Sequence, residues 1–64
     1  MTKAELKTKF DDAGMKAPQK AINKAFHDLA AKVLDKIDDG TDRDICITKI
    51  VEGRDVAMRA MGKP

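Results

Sequence analysis

The stretch Ala21-Ile22-Asn23-Lys24-Ala25-Phe26-His27-Asp28-Leu29-Ala30-Ala31-Lys32-Val33-Leu34-Asp35-Lys36-Ile37 decides the fold. Ile22, Phe26, Leu29, Val33 and Ile37 follow at steps of four, three, four and four, which lays one continuous apolar stripe along an α-helix. Ala25, Ala30 and Leu34 widen that stripe. Upstream, Pro18 suits a first helical turn, where its missing N–H would be unpaired anyway, so the helix is expected to start near it. Downstream, Asp38-Asp39-Gly40-Thr41-Asp42 is a stop and a start: Gly40 is expected to turn left-handed, and Thr41 or Asp42 to cap the next helix. So short a loop implies an antiparallel hairpin.

The third helix is expected from about Arg43 to Met61, with Ile47, Ile50, Val51, Ala57, Met58 and Met61 apolar. A second line along it, Cys46, Ile50, Gly53, Ala57 and Ala60, is mostly small. Gly53 inside a helix costs about 1 kcal/mol relative to Ala, which points to close approach by another backbone or a ligand. At the other end, Thr2 and Glu5 have the spacing of a capping box and open a first helix running to about Ala13 and stopping at Gly14. Its apolar residues Leu6, Phe10 and Ala13 form a narrow line, expected to dock on something larger rather than make a core. Gly62-Lys63-Pro64 reads as a frayed end. The expectation is an all-α chain of one domain, 1–64: a docking helix over 1–14, then an antiparallel helical hairpin over 18–61.

A domain of 64 residues buries little apolar surface and needs help from disulfides, a metal or other chains. Cys46 is the only cysteine and His27 the only histidine, so neither an internal bridge nor a metal site is expected and no cofactor is implied. Self-association remains, and helices with apolar faces too broad for one partner point to a multi-chain helical oligomer. The sequence has no bilayer-spanning apolar run and no apolar signal segment, so a cytoplasmic protein with no membrane partner is expected. The formal net charge of +2 divides unevenly: residues 1–32 carry seven Lys against four acids, residues 33–64 six Lys and Arg against seven acids. That balance lacks the dense basic stripe of a duplex binder, and a nucleic acid polymer is not the expected partner.

No catalytic constellation emerges, and the chain is read as a non-enzyme. An EF-hand aligned on Asp39-Gly40 would put Ile37 at the third position and Cys46 at the twelfth, where a bidentate Glu is needed. Gly62-Lys63 is followed by Pro64 and lacks the preceding glycine of a P-loop. His27 beside Phe26 reads as partly buried packing, and Cys46 as a small interface residue with no His or basic cluster nearby in sequence to activate its thiol. Arg43 lies in the first turn of the third helix, where free N–H groups favour anions; the competing reading is an ion pair with Asp39 or Asp42. Arg54 falls on the apolar face and is expected to meet an acid, a subunit boundary or an anionic ligand.

The run Asp42-Arg43-Asp44-Ile45-Cys46-Ile47-Thr48-Lys49-Ile50-Val51-Glu52-Gly53-Arg54-Asp55-Val56-Ala57-Met58-Arg59-Ala60 resembles the helical hairpin of the phage cyclic-nucleotide sponges, the anti-CBASS and anti-Thoeris proteins. In these a loop ending Ser-Arg-Glu leads to a helix reading Ala-Leu-Thr-Lys-Leu-Glu-Glu-Ala and then a Met- and Ala-rich end. The resemblance covers roughly residues 26 to 61, with Arg43 at the loop arginine, Thr48 and Lys49 at the Thr-Lys pair, Glu52 at a helix acid, and Ala57 and Ala60 in the alanine-rich end. Cys46 stands where relatives often have Ser or Thr, Gly53 replaces a usual Ala, and the aromatic residue near the C-terminal end is absent. The resemblance implies a hexameric homo-oligomer that sequesters cyclic di- or trinucleotide messengers without catalysis, in the host cell cytoplasm if phage-encoded. It implies a ligand site in which Arg43 holds phosphate, with Cys46, Thr48 and Lys49 nearby and Phe10 covering a base. Two other classes compete: a small phage-type DNA-binding regulator, disfavoured by the acids interleaved among Arg43, Lys49, Arg54 and Arg59, and a protein-binding helical module such as an inhibitor or antitoxin.

Overall fold

The structure, a computed structural model, describes residues 1–62, so Lys63 and Pro64 of the expected frayed end lie outside the described residues. Three helices follow one another, α1 (Lys3–Lys9), α2 (Ala17–Lys36) and α3 (Thr41–Met61), with no strand among the described residues. The pairs Leu34 with Arg43 and Asn23 with Arg54 run in opposite order along α2 and α3, the mark of an antiparallel hairpin. No helix among the described residues is long and apolar enough to cross a membrane.

Local chemistry sets most of the boundaries. In the capping box of α1, the Glu5 N–H donates to Thr2 Oγ1 at 3.2 Å and the Thr2 N–H to Glu5 Oε1 at 3.3 Å. At the head of α2, Gln19 Oε1 accepts the Lys16 N–H at 3.0 Å, and Pro18 sits in the first turn. The α2–α3 turn departs from expectation. Gly40 itself caps α3, with φ 164° and ψ 175°, an extended backbone rather than the left-handed one; Thr41 and Asp42 are already helical. The left-handed residue lies earlier, at Gly14 with φ 81°, where the chain turns from α1 into α2.

α1 is shorter than the sequence pattern suggests, ending at Lys9 with Phe10 as its C-cap instead of running to Ala13. The reason is tertiary. The Lys9 carbonyl accepts from Arg54 Nη2 at 2.8 Å and the Phe10 carbonyl from Asn23 Nδ2 at 2.7 Å, so the hairpin takes over acceptors that another helical turn would have used. Asp11 then bends the chain by accepting the Ala13 N–H at 3.1 Å. Nor is α1 peripheral to the core: Leu6 and Phe10 are buried together with Ala30 of α2 and Ile47 of α3, and Ile47 is fully enclosed.

On α2 the core axis runs along Asn23 and Ala30, not along the middle of the apolar stripe. Ile22, Leu29 and Ile37 consequently stay 37%, 50% and 46% exposed. Gly53 admits a side chain rather than a backbone: the Phe26 ring lies where a Gly53 Cβ would meet Phe26 Cε1 at 3.2 Å. Phe26 is only half-buried, so its ring is the part that can give way by the few tenths of an ångström a Cβ needs. Gly53→Ala is therefore expected to raise the urea midpoint by up to about 1 kcal/mol of added stability, from helix propensity. A lowered midpoint would mean that Phe26 is clamped in place.

Candidate functional site

The seam between α1 and the first half of α2 holds a cleft of about 350 Å³. Its position follows from the α1 terminus. Asn23 is buried and spends both ends of its amide, donating to the Phe10 carbonyl and accepting from Arg54 Nη1 at 2.7 Å. The Arg54 guanidinium lies 5.0 Å from the centroid of the Phe10 ring, and His27 meets the same ring edge-on, with centroids 5.7 Å apart and planes at 79°. Phe10 and Asn23 thus form a fixed floor.

Cations stand around that floor. Lys20, Lys24 and His27 come from one face of α2, at i, i+4 and i+7, and Lys7 comes from α1; Asp11 and Asp12 of the connecting turn complete the lining. Lys24 binds Asp28 at 2.7 Å, whereas Lys7 and Lys20 have no ion pair among the described residues. Past Lys7 and His27 the seam continues into a second, largely apolar cleft of about 410 Å³, floored by Leu6, Ala31 and Leu34 with Lys3 at its edge.

Asp28 is the group whose titration departs clearly from the ordinary. The Lys24 ammonium, and after it His27 Nδ1 at 3.2 Å, hold its carboxyl below the usual carboxylate range. The sign follows: a depressed carboxylate contributes stability above its unfolded value, and this is lost as pH falls through the lower folded value. Carbon-detected NMR of the Asp28 carboxyl should give a midpoint below that of an ordinary aspartate, and Lys24→Gln should move it upward. An unchanged midpoint in Lys24→Gln would remove Lys24 as the cause.

The residues that the resemblance singled out are not gathered in one place. Arg43 is turned inward: Nη1 donates to the carbonyls of Leu34 (3.2 Å) and Ile37 (3.4 Å), and Nη2 to Asp39 at 2.8 Å and the Met1 carbonyl at 3.5 Å. Its Nε is buried without a partner among the described residues. Arg43 thus closes the C-terminal end of α2, and holding a phosphate would require these bonds to be exchanged. The Thr48 hydroxyl donates back to the Asp44 carbonyl at 2.9 Å, Lys49 reaches toward Glu52 at 4.0 Å, and Cys46 is a half-buried free thiol. Phe10 alone of that set lines the cleft, at the opposite end of α1 from Arg43. No group of three or more His, Cys, Asp or Glu side chains suited to a metal ion occurs among the described residues.

No family model, curated protein or solved structure matches the chain.

Proposed function

We propose that the chain is a binding protein without catalysis, whose ligand is a small, multiply charged anion bearing aromatic rings. Its ligand would belong to the cyclic oligonucleotide messengers implied by the helix-three resemblance, so that uptake blocks anti-phage signalling. The observation that supports this reading is the α1/α2 cleft, where Lys7 and Lys20, without an ion pair among the described residues, stand with Lys24 and His27 around a floor containing Phe10 and outnumber the two acids of the lining, Asp11 and Asp12. Its volume suits a small-molecule site, and several ammonium groups converging on one ligand add their modest attractions. In this reading the phosphates meet lysines of α1 and α2, and Arg43 holds the hairpin together. A second reading, a protein-binding helical module, draws on the exposed Ile22, Leu29 and Ile37.

Titration calorimetry against a panel of cyclic di- and trinucleotides, with the ligand recovered after heating, separates these readings. Tight binding with intact ligand recovered is the expected result. Altered ligand would mean an enzyme, and no heat with any member would leave the protein-binding module as the better account.

A further inference from the structure

We infer that the apolar cleft between α1 and the second half of α2 is a site for a single-chain anionic amphiphile with the chemistry of a medium-chain fatty acid, its carboxylate on Lys7 beside His27 and its alkyl chain along Leu6, Ala31 and Leu34. The inference does not rest on the proposed function, which concerns the neighbouring cation-lined cleft.

One face of α2 sets the site up. Lys20, Lys24, His27, Ala31 and Leu34 follow at steps of four, three, four and three, so they form one line turned toward α1. Along that line the chemistry changes at His27, cationic before it and aliphatic after it. α1 completes the walls, with Lys3 and Lys7 one turn apart on the rim and the buried Leu6 between them as floor. The cleft encloses about 410 Å³, and small-ligand sites run from roughly 300 to 1,000 Å³.

Charge, hydrogen bonding and length select the occupant. The lining holds Lys3, Lys7 and His27 but no acid among the described residues, and neither lysine has an ion pair among them, so the rim favours an anion. The floor offers nothing to a polar ring. Leu6, Ala31 and Leu34 carry no side-chain donor or acceptor, the Leu6 carbonyl takes the Phe10 N–H, and the Leu34 carbonyl takes Arg43 Nη1. A nucleobase placed there would lose water from its polar edge without replacement, whereas an alkyl chain has no such bonds to lose. His27 to Leu34 covers about 10 Å of helix at 1.5 Å per residue, the reach of an extended chain of about eight carbons. The stem of Lys3 flanks the far end of that chain while its ammonium stays in water.

Titration calorimetry and methyl NMR of the full chain with octanoate, well below its micelle concentration, test this. Saturable binding of one octanoate per chain is expected, with shifts at the Leu6, Ala31 and Leu34 methyls. Each methylene removed from the ligand, down to butanoate, should weaken binding about two- to fourfold. Octylammonium, the same tail with the opposite head, should bind roughly tenfold more weakly or worse. Ala31→Leu fills the cleft from a half-buried position with a residue that favours helix, and should weaken octanoate roughly tenfold while the helical circular dichroism is kept. Lys7→Gln should weaken it roughly fivefold. No binding of octanoate overturns the inference and leaves the cleft to an apolar side chain of another protein. Affinity that does not change with chain length overturns it too, as does octylammonium binding as well as octanoate, or methyl shifts at Ile22 and Leu29 in place of Ala31 and Leu34. If Ala31→Leu unfolds, the chain-length series and the methyl shifts of the unaltered protein decide.

Discussion

Replacing Arg54 with alanine is expected to cost about 3 kcal/mol and to release α1 from the hairpin. Arg54 is 9% exposed and uses every face of its guanidinium: Nη1 on Asn23 Oδ1, Nη2 on the Lys9 carbonyl, Nε on Asp55, and its plane on the Phe10 ring. The alanine variant leaves the buried Asn23 amide oxygen and the part-buried Lys9 carbonyl without their donor and opens space beside Phe10, so desolvation and cavity costs add. Asp55 contributes less, being largely exposed. For a chain of this length total stability is about 3 to 10 kcal/mol, so the variant should melt about 15 °C lower or lose a cooperative transition. Amides of α1 should lose hydrogen-exchange protection first. The Asn23→Ala, Arg54→Ala double-mutant cycle should show coupling of about 1 to 3 kcal/mol. A melting temperature within a few degrees of wild type would remove Arg54 as the joint between α1 and the hairpin.

The same residue marks where reading from sequence stops. Its position on the apolar face of α3 says that Arg54 needs polar company, and one acid it meets, Asp55, is its neighbour in sequence. Asn23 and the Lys9 carbonyl are invisible in a helical wheel, because an Asn between Ile22 and Phe26 reads only as the edge of a stripe. The three helices and the hairpin are legible in the period of apolar residues, in the Thr2–Glu5 spacing and in Gly40. That period tells which side chains share a face, but not how much of the face the chain's own helices cover. The core therefore lies along Asn23 and Ala30, and Ile22 and Leu29 are left outside. Leu6 and Phe10 could not be assigned to the core from a seven-residue helix whose docking ground is made by two distant segments.

The cleft was partly legible. Lys20, Lys24 and His27 share one face of α2 by spacing alone, a signal that the apolar stripe on the opposite side eclipses. Lys7 joins them only through the docking of α1, and that depends on Arg54 and Asn23. Arg43 teaches the converse: a favourable place at a helix start does not reserve a side chain for a ligand when the carbonyls at the end of the preceding helix are nearer.

Reversing the two cleft lysines, Lys7→Glu with Lys20→Glu, is expected to lower affinity for a cyclic dinucleotide by roughly a hundredfold, about tenfold for each reversal, as attraction turns to repulsion at the rim. Both side chains lie on the exposed surface of their helices, and no ion pair among the described residues is broken, so helicity and melting temperature should stay close to wild type. Wild-type affinity should fall with added salt, and more steeply than in the double variant, because screening removes an attraction the variant no longer has. Arg43→Ala is the informative contrast. It unlocks the end of α2 from Leu34, Ile37 and Asp39 and should cost about 1 to 3 kcal/mol of stability, while affinity measured below its melting temperature should stay within about threefold of wild type. If instead Arg43→Ala abolishes uptake and the lysine reversals do not, the phosphate site is at the head of α3, reached by exchanging the Arg43 bonds, and the α1/α2 cleft is not the site.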